Sequence, residues 1–231
     1  MGNLFESDLR DITRLVLVRH GQTAANAAAR IGSMESVPLD ETGVQQAARA
    51  ADRLEALDID VVYASPLLRT QQTARIICDR LELPFSEYAG LKEFNFGVLG
   101  NQTLGNAQEK YPELYPSVHA WLESSPDKPA PRPHIPEAEQ ISDFAARIRT
   151  FCDLILERHP GQVVAAVTHM AVIKGMMAVL FNAPLEQHMN YNAFNASITI
   201  IDFYRKNPVL TAFNDISHLD EPYKFGRVHL L

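Results

Sequence analysis

Short apolar runs recur along the chain, and longer segments of helix-favouring residues separate them. The apolar runs span residues 15–18, 61–64, 163–167, 197–203 and 210–213. The helical segments span residues 42–57, 141–158 and 171–181, and a further one begins at Ser65 and Pro66. Strands that lack polar alternation and are separated by helices are typical of a mostly parallel sheet covered on both faces. The pattern predicts an α/β protein, a three-layer α/β/α sandwich with a mostly parallel central sheet.

A serine followed by a proline marks the predicted start of the second helix. Serine is a good N-cap residue, and proline suits the first helical position. We therefore expect this helix to begin directly after strand 61–64, which places Arg69 about one turn into it.

The segment from Gly100 to Glu139 breaks the alternation of strands and helices. It holds Trp121 and six prolines, which are Pro112, Pro116, Pro126, Pro129, Pro131 and Pro136. Long irregular segments in compact domains often form lids or binding elements. We interpret residues 100–140 as an inserted lid segment with one or two short helices. It belongs to a single domain of residues 1–231, which begins with an N-terminal arm of residues 1–14.

The composition is that of an ordinary soluble domain, with 46% hydrophobic and 21% charged residues among 231. A net charge of −7 argues against a general nucleic-acid binder, which needs a basic surface. Two cysteines, Cys78 and Cys152, are too few for a disulfide framework. Residues 1–14 lack the apolar core of a signal peptide, and apolar stretch 170–181 is too short to cross a bilayer. We expect a cytoplasmic protein without nucleic-acid or membrane partners.

Three of the predicted strands are followed directly by residues that bind anions. Arg19 and His20 follow the first strand, Arg69 lies soon after the second, and His169 follows strand 163–167. In open α/β sheets, ligands bind beyond the carboxyl ends of the strands. Guanidinium groups match phosphate oxygens in pairs, and an imidazole can attack phosphorus as a nucleophile. The sequence therefore predicts a phosphoryl site at this edge of the sheet.

The ordered set of motifs resembles the histidine phosphatase superfamily, the phosphoglycerate-mutase-like proteins. The resemblance begins with Arg19-His20-Gly21, Thr23, Asn26, Arg30 and Gly32, and continues with Pro38-Leu39, Gly43, Gln46-Ala47, Ser65-Pro66, Arg69 and Thr73-Ala74. It further includes Leu91, Glu93, Phe96-Gly97, Thr168-His169, Val172-Ile173, residues 195–199, Asn214-Asp215 and His218-Leu219. It covers most of the chain from about residue 14 to 219 and spares the insertion.

The resemblance implies a catalytic role for five of these residues. His20 would be the nucleophile that becomes phosphohistidine, and Glu93 would protonate the leaving group. Arg19, Arg69 and His169 would hold the phosphoryl oxygens.

Further residues are expected to bind substrate. The resemblance implies that Thr23 and Asn26 line the phosphate pocket or orient His20. Gln22 stands where many members carry glutamate, and Met170 stands where a small residue commonly follows the histidine. Both positions bear on the substrate rather than the chemistry. We expect the wall nearest the leaving group to include the apolar residues Met170, Phe94, Phe96 and Leu99.

Two other classes of site compete with this interpretation. His20, His169 and Glu93 could form a two-histidine, one-carboxylate metal site. Arg19 and Arg69 at the same edge would repel a divalent cation, so we expect neither a metal nor a cofactor. A non-catalytic phosphate-binding module is the other alternative, and such a module would be expected to lack part of the catalytic set.

A phosphatase is favoured over a cofactor-dependent phosphoglycerate mutase. A mutase must retain a doubly phosphorylated acid, yet segment 100–139 carries six acidic residues against three basic ones. The chain also lacks the Glu-Arg-His-Tyr-Gly stretch of the mutases in this family. We predict a metal-independent phosphomonoesterase of the histidine acid type, acting on a small phosphorylated metabolite. The physiological substrate and a homodimer both remain open at this point.

Overall fold

One six-stranded sheet organises the protein in a computed structural model that describes residues 12–124, 127–128, 130–183 and 191–219. The strands are β1 (Ile12–Arg19), β2 (Val61–Ala64), β3 (Phe85–Glu87), β4 (Val163–Thr168), β5 (Ile198–Tyr204) and β6 (Asn207–Asp215). Their order across the sheet is β3-β2-β4-β1-β5-β6. The first four strands in this order pair in parallel, whereas β5 and β6 add to the β1 edge antiparallel. The mostly parallel sheet predicted from the sequence is confirmed.

Both faces of the sheet are covered, which explains the unbroken apolar runs. In β1, Leu15 and Leu17 enter one hydrophobic cluster, and Val16 and Val18 enter the other. The helices are α1 (Ala24–Ala27), α2 (Glu41–Leu54), α3 (Leu68–Leu81), α4 (Leu104–Lys110), α5 (Tyr115–Leu122), α6 (Ile141–Arg158) and α7 (Met170–Leu180). Buried residues of α2 and α3 pack on one face, and those of α6 and α7 pack on the other. This is the predicted three-layer α/β/α sandwich.

The register of the parallel strands brings their carboxyl ends to one edge. Arg19 at the end of β1 pairs with Thr168 at the end of β4, and Ala64 at the end of β2 pairs with Val167. The pairing of β1 with β4 continues one residue further, because the His20 N–H donates to the Thr168 carbonyl at 3.0 Å. Residues 20, 65 and 169 therefore leave the sheet side by side.

The predicted start of the second helix was wrong. The helix begins at Leu68, and its N-cap position is Leu67, which makes no side-chain capping bond. The Ser65 hydroxyl lies 2.8 Å from Nε2 of His169, whereas its distance from the Leu67 backbone nitrogen is a longer 3.4 Å. The Ser65 hydroxyl therefore contacts His169, a residue distant in sequence, and does not cap the helix as the local pattern predicted.

The structure differs from the sequence pattern at other places as well. Helix α2 ends at Leu54, and Glu55–Leu57 continue it as a 3₁₀ turn. Strand β3 was not predicted, because it has three residues, pairs with β2 alone and is largely exposed. Residues 12–14 of the predicted N-terminal arm belong to β1, and residues 1–11 lie outside the described ranges.

The insertion is anchored to the same core as the α6 and α7 face. It contains the two short helices α4 and α5, and three of its side chains, Ala107, Val118 and Ile135, belong to that hydrophobic cluster. Trp121 on α5 is buried as well. The Arg132 guanidinium lies 4.5 Å from the centre of the Phe94 ring. Both cysteines are buried free thiols. No helix within the described ranges has both the length and the apolar character to traverse a membrane.

Candidate active site

The strand ends bring together the two histidines and the arginine that the sequence singled out. His20 follows β1, Arg69 is the second residue of α3, and His169 is the N-cap residue of α7. Nε of Arg69 lies 3.3 Å from Nε2 of His20. The two imidazole rings meet edge to face with 5.2 Å between their centres. All three side chains are buried, so their charges and hydrogen bonds act in a low-dielectric setting.

His20 is held in one tautomer. Its Nδ1 lies 2.7 Å from the Gly21 carbonyl, which can only accept a hydrogen bond, so Nδ1 carries the proton. Nε2 then presents its lone pair towards Arg69. Burial, followed by the charges of Arg69 and Arg19, holds the pKa of His20 well below its ordinary value. The ring is therefore neutral at physiological pH, as a nucleophilic nitrogen must be.

Glycine at position 21 is required by a close backbone approach. A Cβ atom there would overlap the carbonyl oxygen of Gly43, and a Cβ on Gly43 would overlap the carbonyl of Gln22. The Gly21 N–H donates to the Thr73 hydroxyl on α3 at 3.1 Å. These contacts fix the loop that carries His20 between α2 and α3.

The two guanidinium groups are fixed by backbone carbonyls. Arg19 donates through Nη1 to the Ala193 carbonyl at 2.6 Å. Arg69 donates through Nη2 to the Ser33 carbonyl at 2.9 Å and through Nη1 to the Glu35 carbonyl at 3.2 Å. Each arginine is thus aligned before any ligand arrives, which is the preorganisation that charge stabilisation requires.

Glu93 joins the site from the loop after β3 and is 6% exposed. Its Oε1 accepts the backbone N–H groups of Phe94 at 3.0 Å and Ala171 at 3.2 Å. Burial raises the pKa of this carboxyl, although Arg69 and the Phe94 hydrogen bond act in the opposite direction. Oε2 faces Gly32, where a Cβ would come within 3.3 Å of it. A carboxyl group with a raised pKa can carry the proton that a leaving oxygen needs.

Arg147 on α6 positions the Glu93 loop, and sequence reasoning missed it. Its Nη1 donates to the Gly90 carbonyl at 2.6 Å and its Nη2 to the Glu93 carbonyl at 3.1 Å. The same guanidinium pairs with Glu139 at 2.7 and 3.0 Å. An arginine on an amphipathic helix carries no local signal of such a role, since its partners are loop carbonyls far away in sequence.

Thr23 and Asn26 line the pocket, and Asn26 also belongs to a hydrogen-bonded group that reaches His20. Thr23 caps the short helix α1, with its hydroxyl accepting the Asn26 N–H. Asn195 donates through Nδ2 to the His20 carbonyl at 3.0 Å and to Oδ1 of Asn26 at 3.2 Å. One amide therefore joins the two loops on either side of His20. The resemblance included Asn195 without implying a role for it.

The pocket at this edge encloses about 430 Å³ of empty space, its open mouth included. Its lining residues are Arg19, His20, Thr23, Ala25, Asn26, Arg30, Ile31, Gly32, Ser33, Val37, Arg69, Glu93 and Met170. In the part of the chain that the structure describes, no group of three or more His, Cys, Asp and Glu side chains could hold a metal ion.

The expected leaving-group wall needs correction. Met170 lines the pocket, with its sulfur 3.8 Å from Nη1 of Arg19. Phe94, Phe96 and Leu99 are buried in the core instead and are not among the lining residues. Residues 30–33 and Val37, which follow α1, line the pocket in their place. A loop without strand or helix periodicity gave no signal of this, apart from the place of Arg30 and Gly32 in the resemblance.

Gln22 does not reach the pocket, although it was predicted to bind substrate. Its side-chain amide donates to Asp40 at 3.1 Å, and it is not among the lining residues. Asp40 is the N-cap of α2, so Gln22 joins the nucleophile loop to that helix. Within the described residues this side chain serves the packing of the loop.

The three-layer sandwich brings together a neutral histidine, two fixed guanidinium groups and a buried carboxyl at one edge of its sheet. This fold and this set of groups define a class of phosphoryl-handling proteins. Residues 15–216 match the family model of the histidine phosphatase superfamily (branch 1), and the chain belongs to that superfamily. A probable phosphoglycerate mutase of Yersinia pestis (strain Pestoides F) is 31% identical over 215 residues, which are 90% of this chain and 96% of that protein.

Solved structures give the same fold. Bacillus stearothermophilus YhfR is 28% identical, with a TM-score of 0.77 over 89% of this chain and 98% of its own. A mycobacterial glucosyl-3-phosphoglycerate phosphatase is 26% identical, with a TM-score of 0.75 over 87% of this chain and 98% of its own. The relatives thus include phosphatases and a probable mutase.

Proposed function

We propose that this protein is a metal-independent phosphomonoesterase that acts through a phosphohistidine on His20. The observation that carries the proposal is the pairing of a neutral His20 with a fixed Arg69, 3.3 Å from Nε2 to Nε, in a pocket that Glu93 also lines. An anion is the ligand that two arginines at one pocket wall favour. A phosphoryl group satisfies the arginines and the nucleophile together.

The first half-reaction forms a nitrogen–phosphorus bond. The Nε2 lone pair of His20 attacks phosphorus while the bond from phosphorus to the leaving oxygen breaks. Glu93 transfers its proton to that oxygen and becomes a carboxylate, and the alcohol departs. Arg19, Arg69 and His169 hold the remaining phosphoryl oxygens, where negative charge must be met in the transition state.

The second half-reaction returns the enzyme to its starting state. A water molecule attacks phosphorus opposite Nε2, and the Glu93 carboxylate takes up its proton. The nitrogen–phosphorus bond breaks, His20 regains its lone pair and inorganic phosphate is released. No metal ion is needed in either step, because the two guanidinium groups supply the positive charge.

The substrate we propose is a small phosphorylated metabolite. The pocket is small, about 430 Å³ of empty space with its open mouth included. One relative is a phosphatase of glucosyl-3-phosphoglycerate, and a phosphoserine phosphatase from Entamoeba histolytica, 26% identical, was solved with 3-phosphoglyceric acid. Glucosyl-3-phosphoglycerate and 3-phosphoglyceric acid are both single-phosphate metabolites rather than polymers.

Phosphoglycerate mutase activity is the second candidate. A third guanidinium, that of Arg30, lines the pocket, and it donates to the Asn101 carbonyl at 2.8 Å. An extra cation beside the two phosphoryl-binding arginines suits a substrate with a second anionic group. The 31% identical relative named a probable mutase points in the same direction.

Two parallel assays separate a phosphatase from a mutase and from a phosphate-binding module. Purified protein is incubated with a panel of phosphate monoesters with and without EDTA, and inorganic phosphate is measured. We expect phosphate release that EDTA leaves unchanged and that His20→Ala abolishes. In parallel, 3-phosphoglycerate with 2,3-bisphosphoglycerate is followed for 2-phosphoglycerate. Rapid interconversion without phosphate release would establish the mutase, and no turnover of any substrate would indicate a phosphate-binding module.

A further inference from the structure

Ser65 makes a buried contact that the reaction scheme above does not use. Its hydroxyl oxygen lies 2.8 Å from Nε2 of His169, and both residues are fully buried. The Ser65 N–H donates to the Val167 carbonyl at 3.0 Å, and its carbonyl accepts the Thr70 hydroxyl at 2.8 Å. The backbone of Ser65 is therefore fixed from both sides, and its hydroxyl is presented to the ring.

The direction of this hydrogen bond follows from what each atom can do. The Leu67 N–H approaches the Ser65 oxygen at 3.4 Å as a donor and so uses one of its lone pairs. Burial, together with the neighbouring positive charges, lowers the pKa of His169 well below its ordinary value, so the ring is neutral and carries one N–H. If Nε2 carried that hydrogen, the Ser65 proton would need another acceptor, and within the described ranges no such bond occurs. The hydroxyl therefore donates to Nε2.

The other ring nitrogen of His169 has no protein partner within the described ranges, and although His169 is not among the residues that line the pocket, its ring contacts His20, which does line it. Nδ1 is buried and has no hydrogen-bond partner among the described residues. The ring lies edge to face with His20, 5.2 Å between centres. With Nε2 accepting from Ser65, the single ring hydrogen is on Nδ1. A phosphoryl oxygen can only accept, so an Nδ1–H is the group that suits it.

We propose that Ser65 is a positioning residue that locks His169 in the Nδ1–H tautomer and so makes a neutral ring a hydrogen-bond donor to the phosphoryl group. The inference rests on the proposed function and adds to it the residue that fixes the hydrogen of His169 on Nδ1. Without the hydroxyl, the ring is free to carry its hydrogen on Nε2, and a bare Nδ1 lone pair then repels the phosphoryl oxygen. Partners that orient metal-ligating histidines change activity by about 10- to 100-fold when they are removed, and we expect a change of the same order here.

The tautomer is measured directly by long-range ¹H–¹⁵N correlation spectra of histidine-labelled protein, with the His169 signals assigned from their loss in His169→Gln. We expect an Nδ1–H ring in the wild type and in Ser65→Thr, and loss of that single state in Ser65→Ala. The matched control is Ser197→Ala, since Ser197 is also fully buried but its hydroxyl has no hydrogen-bond partner among the described residues. It should leave the His169 signals unchanged.

Turnover of the same variants gives the second readout. We expect kcat to fall by about 10- to 100-fold in Ser65→Ala, with recovery of most activity in Ser65→Thr and no change in Ser197→Ala. A His169 ring that carries its hydrogen on Nε2 in the wild type overturns the inference. A Ser65→Ala variant whose His169 tautomer and kcat both equal those of the wild type overturns it as well. An Nδ1–H ring in a wild type that releases no phosphate supports the tautomer assignment and contradicts the proposed function instead.

Discussion

Nε of Arg69 lies 3.3 Å from Nε2 of His20, so a fixed cation stands beside the nitrogen that we propose as the nucleophile. The two residues are 49 positions apart, one after β1 and the other at the start of α3. Burial, followed by the charges of Arg69 and Arg19, lowers the pKa of His20, and the Nε2 lone pair faces the Arg69 guanidinium. In the proposed reaction, an arriving phosphoryl group would meet its nucleophile and its counter-charge in one position.

Replacing Glu93 by glutamine tests the general acid. Glutamine keeps the shape of the side chain but has no proton to transfer. We expect Glu93→Gln to lower kcat for an alkyl phosphate by about 100-fold or more and to affect p-nitrophenyl phosphate much less, because nitrophenolate leaves without protonation. Phosphate release measured for both substrates decides this. An equal loss for the two would remove Glu93 from the role.

The pH profile of kcat/KM provides a second reading of the same group. His20 must be neutral and Glu93 protonated, so activity should be limited on the acid side by His20 and on the alkaline side by Glu93. The lowered pKa of His20 and the raised pKa of Glu93 widen the interval in which both conditions hold. The alkaline limb should be missing from the profile of Glu93→Gln, and an unchanged alkaline limb would assign it to another group.

Adding one methyl group at Gly32 should disturb the acid without unfolding the protein. A Cβ there would lie 3.3 Å from Oε2 of Glu93 and 3.2 Å from the Phe96 ring, so the carboxyl must shift by a few tenths of an ångström. We expect Gly32→Ala to lower kcat by roughly 3- to 10-fold, because displaced catalytic groups lose alignment. The control is Gly105→Ala in α4, where a Cβ has only one neighbour, at 3.9 Å. That change should leave kcat unaltered, and equal kcat values for both variants would contradict the placement of Glu93.

Arg147 should contribute to both stability and activity. Arg147→Gln removes the paired contact with Glu139 and the bonds to the Gly90 and Glu93 carbonyls. We expect a loss of roughly 1–3 kcal/mol in the free energy of unfolding, measured by urea denaturation, and a lower kcat. Arg149→Gln, on an exposed position of the same helix, should change stability by less than about 0.5 kcal/mol. Similar effects at both positions would show that Arg147 does not hold the loop.

Stability should fall in mild acid because two histidines are buried in neutral form. The pKa values of His20 and His169 are lowered in the folded state, so below about pH 6.5 the unfolded chain binds more protons than the folded one. Each ring then reduces the free energy of unfolding by up to about 1.4 kcal/mol per pH unit as the pH falls towards its folded pKa. The raised pKa of Glu93 acts with the opposite sign, and its contribution is lost as the pH rises through that raised value.

Urea denaturation at several pH values between about 5 and 6.5 measures this effect. His169→Gln removes one of the two titrating rings, so the slope of unfolding free energy against pH should become shallower in that window. The comparison concerns the slope, which is independent of any uniform loss of stability caused by the substitution. A slope identical to that of the wild type would mean that His169 does not titrate differently on folding.

The sheet and its covering helices could be predicted because their signals are local and periodic. The run Leu15 to Val18 is apolar at every position, and the structure sends alternate residues to opposite faces. Strand β3 could not be predicted in the same way. Only Phe85 among its three residues is apolar, and the strand exists because β2 offers it a free edge.

The site was predictable only where it adjoins the strands. His20 and His169 directly follow buried strands, so the topology of a parallel sheet brings them together without any further information. Glu93 lies in a loop and was found through the family resemblance alone. Ser65 was misassigned because its hydroxyl has a local use as a cap and a tertiary use towards His169, and the tertiary contact prevails. Contacts of this kind depend on the packed fold and have no pattern along the chain.

The central claim is that His20 carries the phosphoryl group, and rapid-quench trapping with a ³²P-labelled monoester tests it most directly. We expect labelled protein whose phosphate is labile in acid and stable in alkali, on a peptide that contains His20. The label should be absent from His20→Ala and retained in the matched variant His119→Ala, since His119 is exposed on α5. Undiminished turnover by His20→Ala, or a wild type that turns over substrate while its label lies on another residue, would contradict the account.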